Sequence, residues 1–166
     1  MLSFSDAAIR ASFINASQRE RRDLSLPVGF DDLDWSSLDY LGWRDRKFPQ
    51  LGYVVAEVDG EPVSVLLRQA EGRIRSRPQC AWCEDVHLPN DVVLFSAKRA
   101  GKAGRNGDTV AALVCAEFQC SANVRKRPPV AYAGFDVEAA RQQRIDALRA
   151  NVDAFVRRLA AGGEGA

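Results

Sequence analysis

Four cysteines constrain this chain more than any other feature. They stand as "CAWC" at 80–83 and "CAEFQC" at 115–120, and they are the only cysteines among 166 residues. The pattern is C-x2-C-x31-C-x4-C. Three chemistries compete for it: a tetrahedral metal site, small buried thiols, or disulfides. A C-x2-C pair offers two thiolates from one tight turn, and zinc wants four such soft ligands at about 2.3 Å. Two compact pairs are a poor match for inert thiols scattered through a core. The N-terminus, "MLSFSDAAIRASF", lacks a basic segment followed by an apolar core, so no signal peptide is expected. No run reaches the ~20 apolar residues of a membrane span. A soluble, cytoplasmic protein is therefore expected, and in that compartment thiols stay reduced, which disfavours disulfides.

The 31-residue gap suits a hairpin. "DVVLFSAKR" and "GDTVAALVC" read as two strands joined by the basic, glycine-rich "AKRAGKAGRNG". Such a hairpin returns Cys115 beside the first pair, and good helix formers after it place Cys120 near a helix start. Knuckle, hairpin and a ligand pair at a helix start is a treble-clef layout, with x4 looser than the usual x2. Cys80, Cys83, Cys115 and Cys120 are thus the expected ligands of one structural zinc, since four thiolates leave no open position for substrate. His87, four residues after Cys83, is a reserve ligand or an ordinary surface histidine.

Elsewhere the periodicity predicts helix over "SFSDAAIRASFINASQRERR", with Ser3 and Asp6 as a capping box. A short helical turn is expected at "DLDWSSLDYL" and a loop at "GWRDRKFPQ". "LGYVVAEV" and "PVSVLLRQ" form a hairpin about Asp59-Gly60, a strong turn signal. "EGRIRSRP" is a candidate further strand. After "RPPVAYAG", a long helix carries Ile145, Leu148, Val152, Phe155 and Leu159 on one stripe, more often intramolecular core than a dimer seam. The final "AGGEGA" reads as disordered. The expected fold is α+β: a treble-clef finger with antiparallel hairpins, flanked by N- and C-terminal helices. Its expected divisions are 1–27 (helix and linker), 28–127 (β-rich region with the finger) and 128–166 (linker, helix and tail).

Charge is balanced over the chain, 23 Lys and Arg against 22 Asp and Glu, but not along it. Residues 98–127 hold seven basic side chains, Lys98, Arg99, Lys102, Arg105, Arg125, Lys126 and Arg127, against Asp108 and Glu117. Part of that charge would offset the formal −2 of a tetrathiolate zinc. The rest suits an acidic protein surface or a phosphate backbone. Trp82 and Phe118 are either exposed apolar contacts or packing around the metal. With one histidine, no Ser-centred elbow and no Walker spacing, an enzyme is not expected, nor is a small-molecule substrate.

Taken in order, "DYLGWRD", the Asp-Gly hairpin, "CAWC", "SAKRAGKAGRNGDTV" and "CAEFQC" resemble the elongation factor G-binding proteins, the FusB-like family with a C-terminal treble-clef zinc finger. The resemblance covers roughly residues 35–127. It implies one structural zinc, docking on elongation factor G, and, as in the family's resistance members, release of that factor from ribosomes stalled by fusidic acid. It also implies contact roles for an aromatic of the knuckle, Trp82, and for Lys98 and Lys102. With the charge reading, the expected partner-binding set is Trp82, Lys98, Arg99, Lys102, Arg105, Phe118, Arg125 and Lys126. The alternative partner is ribosomal RNA or another nucleic acid. The long helix after the finger and the small N-terminal helical part depart from the family's resistance members.

Overall fold

The computed structural model describes residues 1–72, 78–85, 90–130 and 132–161. His87, much of the candidate strand "EGRIRSRP" and all but the first residue of "AGGEGA" lie outside the described residues. Among the described residues five strands form one antiparallel sheet in chain order: β1 (Leu41–Arg44), β2 (Leu51–Val58), β3 (Glu61–Gln69), β4 (Val92–Lys98) and β5 (Thr109–Cys115). The β2–β3 turn takes Asp59 and Gly60 through positive φ, 53° and 84°, which a right-twisted two-residue hairpin requires.

The central strands are buried on both faces, because each face has its own cover. Val54, Ala56, Val65, Leu67, Phe95 and Ala97 share one core cluster with the cysteines and the long helix α5 (Val137–Ala160). Tyr53, Val55 and Leu66 share a second, with Ile9, Phe13, Leu41 and Trp43. The α5 stripe of Ile145, Leu148, Val152, Phe155 and Leu159 is buried within the chain. That helix begins at Asp136, whose carboxylate accepts from the Glu138 and Ala139 amides at 3.1 and 2.9 Å.

The N-terminal segment is not one helix. It forms α1 (Asp6–Ala11) and α2 (Gln18–Asp23), and the residues between them leave the helix to serve the sheet. β3 pairs with β4 only at Arg68 and Gln69, so its backbone nearer the Asp-Gly turn needs other partners. Ile14 donates to the Ser64 carbonyl at 3.0 Å, and Ser64 donates back to that of Ser12 at 3.1 Å. The Asn15 amide then bridges Leu66 of β3 and the Lys98 carbonyl of β4. The caps move accordingly: Ser5 caps α1, and the capping box is Ser17 with Glu20.

"DLDWSSLDYL" holds a short 3-10 turn at Trp35–Ser37, a second one at Phe30–Asp32 leading into it. The expected loop "GWRDRKFPQ" begins instead as β1. Its Arg44 would be a poor strand residue alone, but its guanidinium donates to the Ala116 and Pro49 carbonyls and to Gln69 Oε1, each at 2.6 Å. The glycine-rich hairpin tip is folded too. It contains the one-turn helix α3 (Gly101–Arg105), packed so closely that a Cβ on Gly104 would lie 1.8 Å from the Arg99 carbonyl oxygen.

Candidate metal centre

Cys80 and Cys83 stand on a tight knuckle. The Glu84 amide donates to the Cys80 carbonyl at 3.0 Å, and Glu84 takes positive φ, 55°, to turn the chain back. The Ala81 amide donates to the Leu113 carbonyl at 2.7 Å, which pins the knuckle beside β5. Cys115 ends β5. The Phe118 amide then donates to the Cys115 carbonyl at 3.0 Å, with Phe118 itself at φ 56°. Gln119 is the N-cap of α4 (Cys120–Arg125), so Cys120 opens that helix. This accounts for the loose x4 spacing: three residues complete a second knuckle turn and one more caps the helix.

All four cysteines are buried, free of disulfides, and their sulfurs lie within 4.8 Å of one another. Cys80 and Cys120 Sγ are 3.7 Å apart, as are Cys83 and Cys115 Sγ. Sulfurs at ~2.3 Å from a tetrahedral zinc are separated by about 3.8 Å, whereas a disulfide needs about 2.05 Å. The four side chains are therefore placed to hold one zinc ion. Crowding splits the four thiols: hydrogen bonding with Cys115 holds Cys80 well below the usual thiol range, while hydrogen bonding with Cys115, Cys80 and Cys83 pushes Cys120 well above it. A divalent cation removes that conflict by stabilising thiolate at every corner.

The surrounding groups hold the sulfurs in place. The Trp82 amide lies 3.4 Å from Cys80 Sγ, and Asn123 Nδ2 lies 3.6 Å from Cys115 Sγ. Tyr40, fully buried, donates its hydroxyl to the Phe118 carbonyl at 3.0 Å. Burial first, then the neighbouring Cys120, pushes that phenol well above its usual range, so it remains a neutral donor. Asp39, with its side chain shielded, accepts from Arg125 on α4 and from Arg149 on α5, the latter at 2.8 Å. Arg144 of α5 donates to Asp85 at 2.5 Å and so ties the helix to the first knuckle.

The expected partner-binding residues divide sharply by location. Trp82 is 1% exposed and packs edge-on against Tyr40 at 5.2 Å and Phe155 at 5.4 Å. Phe118 stacks on Phe95 at 4.9 Å and lies across Gly42 and Gly52, where an added Cβ would come within 2.6 Å of it. Both rings are buried in the core, as the packing alternative describes. Arg125 is engaged by Asp39 and Arg99 donates to the Arg158 carbonyl at 3.1 Å. Lys98, Lys102, Arg105 and Lys126 are exposed, without an ion pair among the described residues.

Sequence reasoning missed Asp39, Tyr40, Gly42, Gly52 and Asn123. "DYLGWRD" contained three of them, but their partners lie dozens of residues away, where no local pattern reaches.

The chain matches the family described as the FBP C-terminal treble-clef zinc-finger over residues 8–159. No curated protein and no solved structure matches it. The family match spans both terminal helical parts as well as the sheet, and the clustered cysteines fit the zinc finger its description names. The chain belongs to the FBP C-terminal treble-clef zinc-finger family.

Proposed function

We propose that this protein binds elongation factor G through the basic tip of the β4–β5 hairpin and modulates the factor's release from the ribosome, with tolerance to fusidic acid as the physiological outcome. The role is non-enzymatic and belongs in the cytoplasm, where ribosomes and their factors work. Membership of a FusB-type zinc-finger family carries the reading. The arrangement of the hairpin supports it: one end is fixed by four zinc-placed cysteines, and the other presents Lys98, Lys102 and Arg105 to solvent. A tip held rigid from its base loses little entropy on docking, and its unpaired cations speed encounter with an acidic surface.

Calorimetric titration of the zinc-loaded protein into elongation factor G, at two salt concentrations, tests this. A 1:1 complex that weakens with salt and disappears in Cys115→Ala is the expected result. No heat at either concentration, with zinc confirmed in place, would remove the factor as the partner. The same cations suit a phosphate backbone, so ribosomal RNA is the alternative partner. It predicts a steep salt slope against RNA of any sequence and no dependence on the factor.

A further inference from the structure

Among the described residues β5 is the last strand of the sheet, and its outer edge faces a groove of about 430 Å³ whose other wall is α5. The phase of the strand's hydrogen bonding is set at one point. The Leu113 carbonyl accepts from Ala81, which lies off the sheet, so the peptide groups of Leu113 point outward. In an antiparallel strand this direction repeats every second residue, so both peptide groups of Ala111 point outward as well. Ala111 is exposed, and its backbone has no outer partner among the described residues. The strand, "TVAALVC", carries neither the proline nor the charge with which exposed edges are usually protected.

The lining is mixed, with an apolar floor, two polar amides, Gln79 and Asn151, and one cation. Leu94 (39% exposed), Leu113, Ala154 and Phe155 contribute to it, and Arg158 is its one charged residue. Trp82 lines the knuckle end, and its buried indole N–H has no acceptor among the described residues. Arg99 lies against the Arg158 carbonyl, and exposed Lys102 and Arg105 continue the positive charge along the tip, opposed there by Asp108 alone. An open strand edge, a helical wall and an apolar floor are the parts of a strand-addition site, in which backbone bonds give affinity and side-chain pockets give selectivity.

We infer that this groove takes an extended peptide segment with alternating apolar and acidic residues, added as a sixth strand along β5. Its peptide groups pair with Ala111, its apolar side chains enter the floor, and its carboxylates meet Arg158 and the basic tip. For the owner of that segment the inference rests on the elongation-factor reading, while the groove's chemistry stands apart from it.

The test uses the zinc-loaded full chain and a fluorescent octapeptide of alternating valine and glutamate, with a valine–lysine peptide as control. Ala111→Pro is the decisive variant. Its lost N–H bonds nothing within the sheet, so an edge proline leaves the fold intact and removes the N–H that would donate to the incoming strand. Arg158→Glu tests charge without touching the edge. The acidic peptide should bind at least about tenfold more tightly than the basic one, and each variant should weaken it by about tenfold or more. Amide exchange at Ala111 should slow in the complex. Equal binding of both peptides, or an unchanged affinity in folded, zinc-loaded Ala111→Pro, overturns the inference. Elongation factor G tested against the same variants separates the two proposals. A complex indifferent to Ala111→Pro keeps the factor and removes the groove as its docking site. Peptide binding that Ala111→Pro abolishes, with no factor complex, does the reverse.

Discussion

The two ends of the β4–β5 hairpin treat their polar groups in opposite ways. Around the cysteines, side chains are committed inside the protein: Asp39 to Arg125 and Arg149, Asp85 to Arg144, Arg44 to the Ala116 carbonyl, and Asn123 to Cys115. At the tip, Lys98 at the end of β4 and Lys102 and Arg105 on α3 stand in solvent with no ion pair among the described residues, and Gly104 lets α3 pack closely on the Arg99 carbonyl. A committed cation stabilises a fold, whereas an uncommitted one on a fixed support is available to a partner. Substitutions at the zinc end should therefore damage folding first and binding as a consequence. Those at the tip should damage binding alone.

The largest effect is expected at the metal. Cys115→Ser or Cys120→Ser should abolish tight zinc binding and cooperative unfolding of the finger, since structural zinc contributes about 10–16 kcal/mol of apparent free energy in small fingers. Metal analysis with thermal melts checks this, and chelation of the wild type should produce the same state. Asp39→Ala comes next. It strips the shared partner from Arg125 and Arg149 and should cost about 3 kcal/mol in denaturant unfolding, because a shielded ion cluster loses its centre.

Gly42→Ala is a sharper probe of the same end. The new Cβ meets Phe118 Cβ at 2.6 Å and Tyr40 Cε2 at 2.8 Å, close to the backbone of Phe118, and should cost about 2 kcal/mol. Gly52→Ala meets the far end of that ring at 2.6 Å and Phe95 Cε1 at 3.3 Å, with no backbone atom among its nearest contacts, and should cost less. A double-mutant cycle of Gly42→Ala with Phe118→Leu should be non-additive, since both act on one contact. The smallest effect on stability belongs to Lys102→Glu, whose melt should be indistinguishable from wild type. Its association with an acidic partner should nevertheless slow, most visibly at low salt.

The fold was legible in the sequence wherever chemistry declared itself locally. Four cysteines in two compact pairs announced a metal site, Asp59-Gly60 announced a turn, and the stripe from Ile145 to Leu159 announced a buried helix face. What escaped was set by distant partners. β1 has only four residues, including a glycine and an arginine, and becomes a strand because Val54 and Tyr53 lie beside it and three acceptors receive Arg44. The N-terminal helix breaks because β3 diverges from β4 and the backbone at Ser12 and Ile14 fills the gap. Trp82 and Phe118 carry no local mark of burial. Their environment is made by Tyr40, Phe95, Phe155 and two glycines on β1 and β2.

The contrast between the two ends is tested most directly by one triple variant, Lys98→Glu with Lys102→Glu and Arg105→Glu, measured for zinc content, melting and calorimetric binding to elongation factor G. Full zinc occupancy and a wild-type melt, with binding lost, is the predicted result. Binding that survives reversal of all three charges, in a protein that keeps its zinc and its fold, would contradict the assignment of the tip as the docking surface.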